Sequence, residues 1–276
     1  MSNCIYCGKS AGLFSKSHKD CIKINIEGKE QIIQEINNYF KSESYKNVDK
    51  NLNSIANESY VDSGDLRKLI VKGYDDAVDK FLEDGILSET ELNSLDRFDD
   101  IFDITDEELS EYETQTKIIK NRVLQDVINN DIQKSRLTIQ GQLPFLLEKD
   151  EIVLWIFQNA ELYELITRTQ FAGGSHGVSV KIAKGLYYRT SSFRGEPIKT
   201  QETKFTSSGL LALTNKNLYY GSTVKTLKIK YSQIISMPTF SDAIGIQQSR
   251  ANSKPLYFKN IDVWFMFNVI SNLNGN

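Results

Sequence analysis

The 276-residue chain is predicted to be a multidomain α+β protein: a small metal-binding module, an acidic helical bundle, and an antiparallel β-barrel or sandwich closed by a helix. Three observations carry this expectation. All three cysteines and one of the two histidines lie within the first 21 residues. Apolar residues recur at three- and four-residue spacing from Ile26 to about Arg136. Beyond Gly141 the pattern changes to short alternating runs separated by Asn-, Gly- and Ser-containing turns. The boundaries that follow are 1–25, 26–140 and 141–276.

Composition agrees with a folded chain, since 40% hydrophobic and 25% charged residues are globular values and 4 prolines with 16 glycines leave little room for long linkers. The opening MSNCIYCGKS has no basic segment followed by an apolar run, and Val263 to Ile270 is far short of the ~20 residues a bilayer span needs. A cytoplasmic protein without a secretion signal or membrane span is therefore expected.

The first module rests on cysteine arithmetic. An odd number of cysteines crowded into one segment does not make a disulfide framework. With His18 they read Cys4-x2-Cys7-x10-His18-x2-Cys21, two short-spaced ligand pairs separated by a loop. A two-residue gap lets both members of a pair turn onto one ion, and Gly8 and Gly12 supply tight turns. Three thiolates and one imidazole fill a tetrahedron, so a structural Zn2+ is expected, not a catalytic ion with an open position.

Charge separates the remaining two parts. Residues 1–145 carry 18 Lys and Arg against 27 Asp and Glu, or −9, and residues 146–276 carry 15 against 9, or +6. The extreme stretches are 75–113, with 2 basic against 16 acidic residues, and 165–260, with 14 against 3. Such asymmetry permits attraction between domains, a basic surface for an anionic partner, or plain solvation of two surfaces.

Within the acidic part, Ile32, Ile36, Tyr39 and Phe40, then Leu66, Leu69, Ile70, Tyr74, Ala77, Phe81 and Leu82, define amphipathic helices. Asp84-Gly85 ends one helix, and Ser88-x-x-Glu91 opens the next with a capping box, a device repeated at Thr105-x-x-Glu108. The stretch FLEDGILSETELNSLDRFDDIFDITDEEL resembles the small helical bundles of the TerB-like group over residues 60–115. That resemblance implies a link with bacterial stress or phage conflict. A calcium loop aligned on Gly85 fails, because its first and third ligand positions fall on Lys80 and Leu82.

In the last part, Val178, Val180 and Ile182 alternate with Ser179, Lys181 and Ala183 as a half-buried strand. Further strands are expected at 209–214, 218–220, 224–231, 244–247 and 256–258, with a helix over 261–273 that packs onto them. The runs SSGLLALTNKNLYYGSTVKTLKIKYSQIISM and NIDVWFMFNVISNL resemble the bacterial PH-like, or GRAM-like, domains over residues 147–276. The resemblance implies a binding module for peptides, proteins or anionic lipid head groups.

Enzyme motifs fare poorly. Gly173-Gly174-Ser175-His176-Gly177 matches the nucleophile elbow G-x-S-x-G, yet it runs into an alternating strand and no histidine follows to serve as base. Ser222-x-x-Lys225 lacks the partner motifs of that chemistry. The glycine-rich turn reads better as an anion or partner surface, in which Gly173, Gly174, Ser175 and His176 stand near Lys181, Lys184, Arg189 and Arg194. The expected function is a non-enzymatic interaction or adaptor protein. A protein partner ranks first, with an anionic lipid head group or nucleic acid as alternatives, the last as a nucleic-acid-associated zinc protein.

Overall fold

Helix α1 (Lys19–Lys41) buries Cys21, Asn25, Gly28, Ile32, Ile36 and Tyr39, which recur every three or four residues and so share one face. It belongs to a computed structural model that describes residues 2–12, 15–42, 46–110, 112–171, 179–183, 186–189, 197–250 and 253–274. These form two compact units, Met1–Asn121 and Arg122–Asn276.

In the first unit, α2 (Val48–Glu58), α3 (Ser63–Phe81), α4 (Glu89–Phe102), α5 (Asp106–Ser110) and the start of α6 (Thr114–Ile128) follow α1. Their apolar faces meet in one core that includes Ile32, Ile36, Leu52, Ile70, Val78, Leu95 and Phe98. The ends at Gly85, Ser88 and Thr105 form as the residue pattern predicts. Gly85 adopts a left-handed φ of 99° after α3, and Ser88 and Glu91 form the full capping box of α4. Thr105 and Glu108 repeat it, with the Thr105 amide donating to Glu108 Oε2 at 2.9 Å.

Polar side chains then tie the helices together. Asn25 Nδ2 donates to the carbonyls of Ser59 and Tyr60 at the end of α2, using acceptors that a helix C-terminus leaves free. Arg67 on α3 donates to the Phe102 and Asp103 carbonyls and forks onto Glu108. That fork holds the Glu108 carboxyl down at about 2. Gly28 sits where a Cβ would overlap the Ser59 side chain, so glycine permits the close approach of α1 to the start of the α2–α3 link.

The second unit is built on nine strands among its described residues: β1 (Val153–Phe171), β2 (Ser179–Ala183), β3 (Leu186–Arg189), β4 (Pro197–Thr214), β5 (Asn217–Gly221), β6 (Thr226–Lys230), β7 (Ile234–Ser236), β8 (Ala243–Gln248) and β9 (Leu256–Lys259). Seven form one antiparallel sheet in the order β6-β5-β4-β1-β9-β8-β7, and β2 pairs with β3. The edge strands β6 and β7 are successive in the chain and joined by a single 3-10 turn, Tyr231–Gln233. The sheet therefore curls into a half-barrel. Helix α7 (Val263–Asn274), capped by Asp262 Oδ1 accepting from the Phe265 amide, buries Phe265, Met266, Val269 and Ile270. Phe265 packs at 5.4 Å from Trp155 and 6.3 Å from Phe157 of β1.

The residue pattern assigns no strand before Val178, whereas the 19-residue β1 lies there. Register shifts at Val153/Trp155, Phe157/Ala160 and Leu162/Tyr163 break its two-residue alternation, which is the signal a strand normally gives. The strand expected over 224–231 is shorter, because Ser222 to Lys225 close a turn and Tyr231 begins the 3-10 corner.

The T-N-K-N-L-Y-Y motif is a fastened hairpin. Glu151 accepts from Thr214 Oγ1, Asn217 Nδ2 and the Tyr219 hydroxyl, while Tyr231 OH donates to the Thr214 carbonyl and accepts from its amide. Burial pushes the Glu151 carboxyl up, but these donors outweigh it and the net shift is downward.

Candidate metal centre

The segment before α1 folds back on itself around two glycines. Cys4 N–H donates to the Lys9 carbonyl at 2.7 Å, Gly8 N–H donates to the Cys4 carbonyl at 2.9 Å, and Asn3 bridges Ser10 antiparallel. Gly8 and Gly12 take φ of 71° and 94°, conformations that side chains with a Cβ adopt at a cost. This tight turn delivers Cys4 and Cys7. The other pair comes from a helix start, since His18 is the N-cap of α1 and Cys21 stands in its first turn.

The four donor atoms lie within 4.8 Å of one another and could hold a metal ion. Among the described residues this is the one such group of His, Cys, Asp or Glu. His18 Nδ1 is 3.4 Å from Cys7 Sγ and 3.6 Å from Cys21 Sγ. Its other nitrogen, Nε2, lies 2.9 Å from the Ser10 carbonyl. A carbonyl only accepts, so Nε2 carries the proton and Nδ1 keeps its lone pair for the sulfurs' side of the ring. Ser10 thus positions the imidazole through its backbone, a role that no residue-type signal in the sequence could announce.

The sulfurs are electrostatically unequal. Burial pushes the Cys4 thiol up, but amides of Cys7, His18 and Tyr6 directed at the sulfur prevail and leave it at about 6. Burial raises Cys21, helped by the neighbouring sulfurs, to about 11. The Ser10 carbonyl, followed by Cys7, raises His18. A cation in the middle of the group would favour all three thiolates at once.

The remaining expected site residues divide in two. Gly173, Gly174, Ser175, His176, Lys184 and Arg194 lie outside the described residues. Lys181 is on β2 and Arg189 on β3, where the register pairs Lys181 with Tyr187 and Ser179 with Arg189. The S-x-x-K match is a turn: Ser222 Oγ accepts from the amides of Val224 and Lys225, and Lys225 Nζ pairs with Glu164 at 2.5 Å. No α-helix here meets the length and apolarity needed to cross a membrane among the described residues. Comparison of the chain with protein-family models, curated proteins and solved structures finds no match.

Proposed function

We propose that Cys4, Cys7, His18 and Cys21 hold one structural Zn2+ in a protein that works by binding and not by catalysis. One observation carries the zinc reading. A tetrahedral ion bonded at about 2.3 Å to sulfur and about 2.0 Å to imidazole nitrogen sets such donors about 3.5 Å apart, and the two nitrogen–sulfur separations are 3.4 and 3.6 Å. Thiolate and imidazole are the donors Zn2+ favours. Four protein ligands leave no position for a reacting water, which makes the role structural.

The second unit is read as a PH-like module, on the strength of its curled sheet, its closing helix and the fastened T-N-K-N-L-Y-Y hairpin. The capped Asp84–Glu91 corner supports a TerB-like reading of the helical unit. In this account the protein is a cytoplasmic adaptor that presents the half-barrel to a protein or an anionic partner. A nucleic-acid-associated role is the second reading, because Lys181 and Arg189 belong to the two-stranded β2–β3 hairpin and a two-stranded ribbon fits a major groove.

Metal analysis of the purified full-length protein is expected to give about one zinc per chain, and Cys21→Ser is expected to lower it together with thermal stability. A metal-free protein with an ordered N-terminus overturns the zinc reading. Capture from the native host by full-length protein, compared with a variant carrying Gln at Lys181, Lys184, Arg189 and Arg194, tests the partner reading. Recovery of a specific protein supports the adaptor. Binding confined to a DNA duplex, weakened by the substitutions and falling steeply with salt, favours the second reading.

A further inference from the structure

The end of α1, the end of α3 and one side of α4 enclose a cleft of about 640 Å³ in the helical unit, a volume within the range of small-molecule sites. Its apolar wall is the open margin of an aromatic cluster. Tyr39, Phe40 and Phe81 line it, with Phe40 in edge contact with both Tyr39 at 5.1 Å and Phe81 at 5.8 Å. Phe40 and Phe81 are only partly buried.

Two cations stand on the same cleft, Lys41 and Arg97. Residues 75–113 hold 16 acidic residues and only two basic ones, of which Arg97 is one. Even so, its Nε donates to the Asn93 carbonyl, and among the described residues no carboxylate pairs with either Arg97 or Lys41. Both cations are exposed and open to an incoming anion. Arg97 stands beside Tyr39, where its charge opposes the larger upward push of burial on the phenol. A third polar group is also unused: the Ser94 hydroxyl, on the cleft wall, is shielded from solvent and has no hydrogen-bond partner. Buried hydroxyls are nearly always satisfied.

We infer that this cleft binds a small planar aromatic carboxylate, its ring against Phe40 and Phe81 and its carboxylate on Arg97 and Lys41. The aromatic wall calls for a flat apolar body, and a guanidinium matches the two oxygens of a carboxylate. Glu91 and Asp100 also line the cleft and limit the charge of the guest. Glu91 is held in the capping box by Ser88, and Asp100 is exposed; both repel a multiply charged phosphate more than a single carboxylate. The inference is independent of the metal centre and of any partner of the half-barrel.

The test uses full-length protein, naphthalene-2-carboxylate and its neutral isostere naphthalene-2-carboxamide, followed by amide chemical shifts. Shifts confined to residues 39–42, 81 and 90–101, with Kd below ~1 mM for the acid, are expected for a ligand of this size. The carboxamide should bind at least about fivefold more weakly, since it loses the charge-assisted contact. Arg97→Gln should abolish the difference between the two probes while the remaining spectrum stays folded, and Lys41→Gln should narrow it. Should Arg97→Gln fail to fold, Lys41→Gln alone decides. Equal binding of acid and amide by the natural protein, shifts outside the cleft, no shifts at about 5 mM acid, or an unchanged preference in the folded variants overturns the inference.

Discussion

At the scale of single residues, two positions show how local choices depend on distant neighbours. Gly28 would gain helix propensity if replaced by alanine, by up to ~1 kcal/mol. Its missing Cβ, however, is the space that Ser59 occupies. Gly28→Ala is therefore expected to destabilise the helical unit by about 1–3 kcal/mol, the usual cost of overpacking, and Ser59→Gly should recover part of it. Denaturant midpoints measured on both variants check this, and a stabilised Gly28→Ala refutes the close packing. Glu108 is the second case, because the Arg67 fork and the Thr105 amide and hydroxyl hold its carboxyl at about 2. A lowered folded-state pKa stabilises above the unfolded value, about 4.3 for Glu, and that contribution is lost as pH falls through the folded value. Partial exposure of the pair, 33% and 30% for the two side chains, discounts its strength. Glu108→Gln should thus cost about 1 kcal/mol at neutral pH, with the gap from the natural protein closing between about pH 4.5 and 2. A gap that is constant across that range separates the effect from ionisation.

At the scale of elements, α7 is the piece whose removal is most informative. Its length is modest, but Phe265, Met266, Val269 and Ile270 are all buried, and Phe265 covers Trp155. The sheet beneath presents its inner face to those side chains. Ending the chain at Asn260 should therefore expose the half-barrel core, red-shift Trp155 emission and replace cooperative unfolding of the second unit with a broad transition. Sharp, reversible unfolding of the shortened chain contradicts this account. The hairpin of Thr214 to Tyr219 should persist longest in such a chain, since Glu151 fastens it through Thr214, Asn217 and Tyr219.

For the whole molecule, the Cys/His cluster and the two tryptophans fall in different units. His18 and Cys21 belong to the start of α1, and Tyr6 of the N-terminal turn packs 6.5 Å from Tyr60 beyond α2. Both tryptophans of the chain, Trp155 and Trp264, lie in the second unit. A chelator should accordingly lower the unfolding temperature seen by far-ultraviolet helix signal and leave the transition seen by tryptophan emission in place. Coincident shifts in both signals would show that the two units unfold as one.

The Cys/His cluster, the helix caps and the mixed helix-and-sheet class are legible in the residue order, because each is written in local spacing. Cys-x2-Cys and His-x2-Cys bring donors together within one turn, and Ser88-x-x-Glu91 satisfies amides three residues away. The helix over Val263–Asn274 was legible for the same reason, as a run that is mostly apolar from Val263 to Ile270. The rest depends on contacts between segments far apart in the chain. Strand β1 hides behind three register shifts, and its identity comes from pairing with β4 and β9 far along the chain. The Ser10 carbonyl that orients His18 carries no side-chain signature. Arg97 reads as one basic residue in an acidic stretch until the fold sets it on the same cleft as Phe40 and Phe81. Hydrogen bonds within three or four residues are dictated by spacing, whereas contacts across tens of residues depend on which surfaces the packed core leaves adjacent.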